Sequence, residues 1–416
     1  MEIEYGIAES LNIKRRVDKK VIVNGSGFKN YPLNNLESEI LSKFNGGNTL
    51  QSLLQELEME NNKNKMERVR KGFQALVEKN ILVPDARKIC DFTPKWTLDE
   101  VFLELTKQCN LRCHHCYIPK DVSLEELTKE QWLKIIDECS DMGVGLIKIT
   151  GGEPMVYRHF FDIIEYIMSK NIHIRLYTNG SFLSEVNIAN LKRMGITEVQ
   201  VSMDGATKKT HDTFRRTKGN FEKIMRALPI LENSEMDVIL SFTVTDYNEA
   251  EMDEFTKIAR RFSNIKVVIS PYINYHQTIC IDKLVNVDES IVLNLKQIFE
   301  KNSDIWSDKV RYSLSFSNKY IGYCGFGIYS LYINSTGKIM MCPLLNNIII
   351  GHVSEGIENV WHSSQILNEY RQYTIADIDY CNTCKNINVC RGGCRARAYM
   401  ANGSFISNDP VSCKMY

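Results

Sequence analysis

Six short runs rich in β-branched and apolar residues recur between residues 102 and 273, separated by longer amphipathic stretches. They are F-L-E-L-T (102–106), L-I-K-I-T (146–150), I-H-I-R-L-Y (172–177), E-V-Q-V-S-M (198–203), V-I-L-S-F-T-V (238–244) and V-V-I-S-P-Y-I (267–273). Strands that alternate with helices predict an α/β fold built as a parallel barrel, or part of one. In such a fold the chemistry lies at the C-terminal ends of the strands. Thr128 followed by Gln131 is a capping box, so a helix is expected to start there, between the first two strands.

At 416 residues the chain has room for two or three domains with sizeable cores, so its stability does not require disulfides. Nothing in a formal net charge of zero suggests nucleic acid, an acidic substrate or an anionic membrane as the main partner. The first ten residues lack a basic segment leading into an apolar one, and no run offers the roughly 18 apolar residues of a membrane span. A cytoplasmic protein without a membrane partner is expected. Thirteen cysteines, an odd number in a reducing compartment, point to metal rather than to disulfides. Cys90, Cys139 and Cys280 stand alone and read as small buried hydrophobes.

Three of the others fall in C-N-L-R-C-H-H-C, at Cys109, Cys113 and Cys116, in the loop after the first strand. A structural zinc ion would need a fourth ligand from His114, His115 or elsewhere. A [4Fe–4S] cluster on three thiolates instead leaves one iron open to a substrate or cofactor. The second strand ends at the same face in G-G-E-P, where Gly151 and Gly152 allow a ligand to approach the backbone and Glu153 offers an acceptor for an ammonium group.

C-x3-C-x2-C after strand one together with G-G-E-P after strand two resembles the radical S-adenosylmethionine (SAM) superfamily over roughly residues 98–300. The resemblance implies that Cys109, Cys113 and Cys116 hold a [4Fe–4S] cluster whose free iron chelates SAM. Electron transfer would then cleave SAM, giving a 5′-deoxyadenosyl radical that abstracts a substrate hydrogen, with flavodoxin or ferredoxin as the reducing donor. It also implies that Gly151, Gly152 and Glu153 contact the methionine amino group, Ser202 the ribose and Arg215 the SAM carboxylate, with Tyr117 near the adenine. Asp204 and Asn179 face the same site, where turn capping is an equal alternative.

Beyond about residue 310 the alternation fades into short turns and cysteines, a composition that metal clusters can hold together. Cys381-x2-Cys384-x5-Cys390-x3-Cys394 alone would fit a zinc knot. Preceded by Cys324 and Cys342 and closed by Cys413, it resembles the SPASM extension of radical SAM peptide maturases, assigned to 310–416. The resemblance implies two auxiliary iron–sulfur clusters. Cys381, Cys384, Cys390 and Cys413 would hold the outer one, leaving Cys324, Cys342 and Cys394 for the inner. No further cysteine follows in G-F-G-I-Y-S-L-Y-I. The inner cluster therefore has an open iron, is completed by Cys280 or a non-cysteine side chain, or is smaller.

Residues 1–90 form a unit of their own. I-K-R-R-V-D-K-K-V-I-V reads as a strand or hairpin arm, N-G-S-G (24–27) as a turn, and Leu33 to Phe44, Leu50 to Leu57 and Met66 to Val77 as three helices before the strand I-L-V-P. This resembles a small winged helix and the precursor-peptide recognition module of ribosomal peptide biosynthesis. Its net charge of +3 is thin for phosphate binding, whereas strand addition of a leader peptide fits. The combined expectation is a maturase of ribosomal peptides, similar to sactipeptide and ranthipeptide synthases, that forms cysteine thioethers. Carbon–carbon or carbon–oxygen cross-linking, formylglycine formation on a sulfatase, and a redox-sensing DNA-binding regulator are the alternatives.

Overall fold

The computed structural model describes residues 96–118, 125–273, 289–306, 324–378 and 380–415, and in the first 84 residues the segments 5–7, 12–15, 21–24, 30–31, 33, 35–41, 43, 49–56 and 63–84. It divides into two compact units, Met1–Asp99 and Glu100–Tyr416.

In the first unit β1 (Tyr5–Ile7) pairs antiparallel with β5 (Leu82–Pro84), while β2 (Asn12–Arg15), β3 (Val21–Asn24) and β4 (Asn30–Tyr31) form an antiparallel sheet. Helices α1 (Asn35–Leu41), α2 (Leu50–Glu56) and α3 (Lys63–Glu78) bury Ile40, Leu41, Leu53, Leu54, Val69, Phe73 and Leu76 together, with Ile81 and Leu82 closing the cluster. Beside it Lys79 Nζ meets the buried Glu37 carboxylate at 2.8 Å. The expected turn beyond Asn24, together with Phe44, Leu57, Cys90 and Cys280, lies outside the described residues.

In the second unit β6 (Glu100–Glu104), β7 (Leu146–Thr150), β8 (His173–Thr178), β9 (Glu198–Ser202), β10 (Asp237–Val244) and β11 (Ile265–Pro271) run parallel, each beside its sequence neighbour. The intervening helices are α4 (Lys129–Asp141), α5 (Phe160–Ser169), α6 (Glu185–Arg193), α7 (Lys208–Phe214), α8 (Asn220–Asn233) and α9 (Met252–Ala259), with α10 (Glu289–Lys301) following β11. This is the partial, TIM-like barrel that the alternation predicted. The capping box forms as well: Gln131 N donates to Thr128 Oγ1, and Thr128 N donates to Gln131 Oε1 at 2.8 Å.

Alternation within the strands separates two faces. Val101, Leu103, Ile147, Ile149, Ile174, Leu176, Val199, Val201, Val238 and Leu240 are buried on one. The other carries Phe102, Lys148, Arg175, Tyr177, Glu198, Gln200 and Ser202, which the register sets side by side from strand to strand. Two ion pairs cross strands on this face, Lys148 to Glu100 at 2.5 Å and Arg175 to Glu198 at 2.8 Å.

The sheet extends past what the sequence pattern predicted. β12 (Ser330–Ile333) adds parallel to β6, and β13 (Lys338–Met340) and β14 (Ile349–His352) continue antiparallel, making nine strands. The remaining elements are short: α11 (Ile357–Ser363), α12 (Gln365–Tyr370), α13 (Ile387–Cys390), α14 (Arg395–Asn402) and α15 (Ser412–Met415).

Candidate functional site

β6 stops at Glu104, two residues before the apolar run does, because Thr106 turns the chain. Its hydroxyl accepts the Gln108 amide at 3.0 Å, and Glu126 accepts the Thr106 hydroxyl and, at 2.6 Å, the Lys107 amide. The loop that follows carries Cys109 and Cys116, both half-buried, and Cys113, buried. Cys109 Sγ accepts from the Leu111 amide at 3.4 Å and from Asn179 Nδ2 at 3.7 Å. Both histidines between the cysteines tie the loop to the end of α7. The His114 amide donates to the Phe214 carbonyl and its Nε2 accepts from Arg216 Nε at 3.2 Å, while His115 stacks on Phe214 with ring centroids 4.7 Å apart.

Gly151 and Gly152 carry the end of β7 against this loop. The Gly152 amide donates to the Thr106 carbonyl at 2.8 Å and the Glu153 amide to the Gln108 carbonyl at 2.9 Å. A Cβ on Gly152 would run into the carbonyl oxygens of Lys107 and Gln108, and one on Gly151 would sit 2.7 Å from the Thr106 carbonyl. Close approach is what the glycines permit, as expected, but the partner seen is the backbone that leads into Cys109.

Glu153 is fully buried and joins strand ends: Oε1 accepts from Thr178 Oγ1 (2.8 Å) and Met155 N (3.3 Å), and Oε2 from Asn179 N (2.7 Å). Burial pushes its carboxyl up to about 7, against the pull of these donors and of Arg215. Asn179 both caps and reaches. Its Oδ1 accepts from Ser181 N, as an Asx turn does, while Nδ2 donates to Asn110 Oδ1 at 2.9 Å and toward Cys109.

Ser202 is half-buried at the end of β9, paired in register with Ser241. Asp204, two residues on, accepts from Arg215 Nε (2.8 Å), Arg215 Nη2 (2.6 Å) and Thr243 N (2.7 Å). Burial pushes the Asp204 carboxyl up, yet Arg215, His115 and the Thr243 amide outweigh it and hold the group below the usual carboxylate range. Arg215 is buried, and its positive charge interacts with the Cys113 and Cys109 thiols as well as with Asp204. A guanidinium has five N–H donors, so Asp204 orients Arg215 without exhausting it. Tyr117 bonds to Tyr332 of β12, whose hydroxyl donates to the buried Glu104 carboxylate at 2.6 Å.

Burial is the largest influence on five of the C-terminal cysteines. Burial raises the Cys324 thiol to about 11 and raises Cys342 well above its ordinary range, and the next largest effects on each come from within the set Cys324, Cys342 and Cys394. Burial likewise raises Cys381, Cys390 and Cys413, which are further influenced by one another and, for Cys381 and Cys413, by Cys384. None of the eleven described cysteines forms a disulfide. No three His, Cys, Asp or Glu side chains among the described residues converge closely enough for a single metal ion.

Residues 103–259 match the model of the Radical SAM superfamily, and residues 324–385 match SPASM, an iron–sulfur cluster-binding domain. The chain carries a radical SAM domain and a SPASM domain. Among relatives of this enzyme, the AdoMet-dependent heme synthase of Methanosarcina barkeri is 26% identical over 330 residues, covering 74% of this chain and 94% of that protein. The mycofactocin maturase of Mycobacterium tuberculosis H37Rv is 28% identical over 322 residues, covering 74% and 81%. Streptococcus suis SuiB has the same fold at 16% identity in its SAM-bound structure, with a TM-score of 0.69 over 98% of this chain and 99% of that one. Its complex with the precursor peptide SuiA aligns over the same shares with a TM-score of 0.67 and 14% identity.

A radical SAM enzyme with a SPASM domain uses SAM, a [4Fe–4S] cluster and auxiliary iron–sulfur clusters. The residues of the Cys109–Cys116 loop fit the first cluster: N–H donors already point at Cys109 Sγ, and buried Arg215 sets a positive charge beside Cys109 and Cys113. Among the described residues no helix is long and apolar enough to cross a membrane.

Several residues that build the enzyme's site escape sequence reading. Glu104 and Tyr332 join the first barrel strand to the SPASM region across 228 positions. Asp409 gathers Cys394 N, Ser412 Oγ and Arg397 around one buried carboxylate. The inward Glu of F-L-E-L-T and the N-D-P-V-S-C turn were the available signals, each too common to stand alone.

Proposed function

We propose that this radical SAM enzyme modifies a ribosomally made precursor peptide by bonding a cysteine sulfur to a carbon of another residue. The peptide class is supported by the mycofactocin maturase relative and by the SuiB complex, whose alignment over 98% of the chain extends through residues 1–99. The thioether rests on the second group of thiols, which among the described residues has three members, Cys324, Cys342 and Cys394, the first of them two residues before a side chain packed on the polar face of the barrel. Phe326, two residues after Cys324, packs on Phe102 of that face with ring centroids 5.0 Å apart, and Lys148 Nζ lies 4.6 Å from the Phe102 ring centre.

In this reading Cys109, Cys113 and Cys116 hold the SAM-binding cluster. Cys324, Cys342 and Cys394 hold the inner auxiliary cluster, and Cys381, Cys384, Cys390 and Cys413 the outer one. Bound together, SAM and the first cluster supply the adenosyl radical that removes hydrogen from the acceptor carbon. Gly151 and Gly152 shape the strip beside SAM, Glu153 and Asn179 fix that strip to the Cys109 loop, and Ser202 and Arg215 bind SAM's polar ends. Asp204 orients Arg215, and Tyr117, anchored by Tyr332, closes the adenine side. The three inner thiols would leave that cluster a position for the substrate's own cysteine as thiolate, and the electron released when its sulfur bonds to the acceptor-carbon radical would pass to the auxiliary clusters. Strand addition along the β2–β3 sheet would bind the leader and hold the core peptide at high local concentration. A flavodoxin or ferredoxin would reduce the enzyme.

Anaerobic reaction with the short peptide encoded beside the gene, read by tandem mass spectrometry, tests this. Each link should remove two hydrogens together with one free thiol. A cross-linked product that retains every thiol would overturn the thioether and leave carbon–carbon or carbon–oxygen bonding.

A further inference from the structure

Arg395 follows Cys394 directly and opens α14, yet it is only 3% exposed. Its Nη1 donates to the Phe405 and Ser407 carbonyls, each at 2.8 Å. These two bonds clamp one corner of the guanidinium. Nε and Nη2 have no hydrogen-bond partner among the described residues, although their atoms are buried. A buried cation with unmet donors is costly, and a native fold keeps one where an anion completes it.

The chain around Arg395 is shaped to keep it there. Gly392 has φ +79°, and a Cβ on it would lie 3.3 Å from Arg395 Nη2 and 2.6 Å from Ile378 Cδ1. Gly392 of R-G-G-C thus lets the Cys390–Cys394 turn close over the guanidinium, while Gly393 makes room for Asp409 and Ser412. The turn that covers its open Nη2 starts at Cys390, a member of the outer group, and Gly392 in that turn lies against the guanidinium. A cluster on four thiolates is an anion with sulfur acceptors, which is what the open side of this guanidinium lacks.

We propose that Arg395 is a positioning and tuning residue for the outer auxiliary cluster, donating its Nε and Nη2 hydrogens to cluster or cysteinyl sulfur and raising that cluster's reduction potential. This rests on the assignment of Cys381, Cys384, Cys390 and Cys413 to the outer cluster. Hydrogen bonds to sulfur stabilise the more negative, reduced state, so their removal lowers the potential. Arg397 has a different task, since its Nε and Nη2 are taken by Asp409.

The test is an EPR-monitored redox titration of the reconstituted full-length enzyme, wild type against Arg395→Lys and Arg395→Met, with iron counted in each. The expected result is a shift of one auxiliary midpoint to more negative potential, larger for Met than for Lys, with the SAM-binding cluster unmoved. Full iron content with all midpoints unchanged would overturn the proposal. Should the variants lose iron, wild-type enzyme labelled with nitrogen-15 arginine decides. Pulsed EPR of the reduced outer cluster should show an arginine nitrogen coupling with exchangeable deuterons in heavy water, and absence of that coupling would overturn the proposal. The underlying assignment fails separately, if Cys381→Ala and Cys413→Ala leave the count of auxiliary clusters unchanged.

Discussion

The loop Cys109–Cys116 and the segment Cys381–Cys413 both gather thiols for iron, but different parts of the chain hold them in place. The first hangs on a barrel that folds around its own apolar face. Backbone bonds from Gly152 and Glu153 fix its entry, and Phe214 fixes its middle. The second consists of helices of four to eight residues whose organising contact is a buried charge. Asp409 accepts from Arg397 Nη2 at 2.8 Å, from Ser412 Oγ at 2.6 Å and from the Cys394 amide at 2.7 Å, and its own carbonyl accepts the Cys413 amide. The contrast teaches that a cluster can be guest on one scaffold and structural member of another within a single chain.

The sharpest way to break that contrast is to remove one ligand from each. Cys113→Ala should abolish SAM cleavage by the reduced enzyme, read as 5′-deoxyadenosine, while the thermal midpoint stays at the wild-type value. Cys390→Ala should lose iron and lower the midpoint. Equal midpoints for the two variants would erase the distinction. Asp409→Ala comes next in size. It removes the buried carboxylate to which the mostly buried Arg397 donates and should cost about 3–5 kcal/mol in denaturant unfolding of the apo-protein. A loss under about 1 kcal/mol would mean that the SPASM segment is held by something else.

Glu153 gives the barrel side a pH signature. Its carboxyl sits at about 7 against an ordinary 4.5, so the folded state binds its proton more tightly than the unfolded chain does. That stabilisation is full below about pH 4.5 and is lost as pH rises through about 7, amounting to about 3 kcal/mol at most. Between pH 5 and 8 the apo-protein should lose more stability than Glu153→Gln does, and parallel curves would contradict the assignment. Smallest is Gly152→Ala, whose methyl meets carbonyl oxygens that cannot rotate away. About 1–3 kcal/mol of destabilisation is expected, with weaker SAM binding by calorimetry.

Much of this architecture was legible because it is periodic. The six parallel strands lie within about two residues of the apolar runs, since alternating burial against helices imposes that pattern. Cys109, Cys113, Cys116 and the G-G-E-P strip sit on neighbouring strand ends for the same reason. β12, β13 and β14 were not legible: each has three or four residues, and Ser330–Ile333 is buried at every position, which leaves no alternation to read. The Glu104–Tyr332 and Asp409–Cys394 contacts were hidden because they join segments through space, with no spacing rule between them. Arg395 read as one more charged residue, and only its burial and its open donors set it apart.

The proposed thioether route depends on the inner group of three thiols. Replacing Cys109, Cys113 and Cys116 together with alanine leaves the auxiliary clusters as the EPR-active centres. Adding a cysteine-containing substrate peptide should then change the spectrum of one of them, and the same peptide with serine for cysteine should not. Superimposable spectra with and without the cysteine peptide would contradict a thiolate bound at Cys324, Cys342 and Cys394, and with it the proposed route to the thioether.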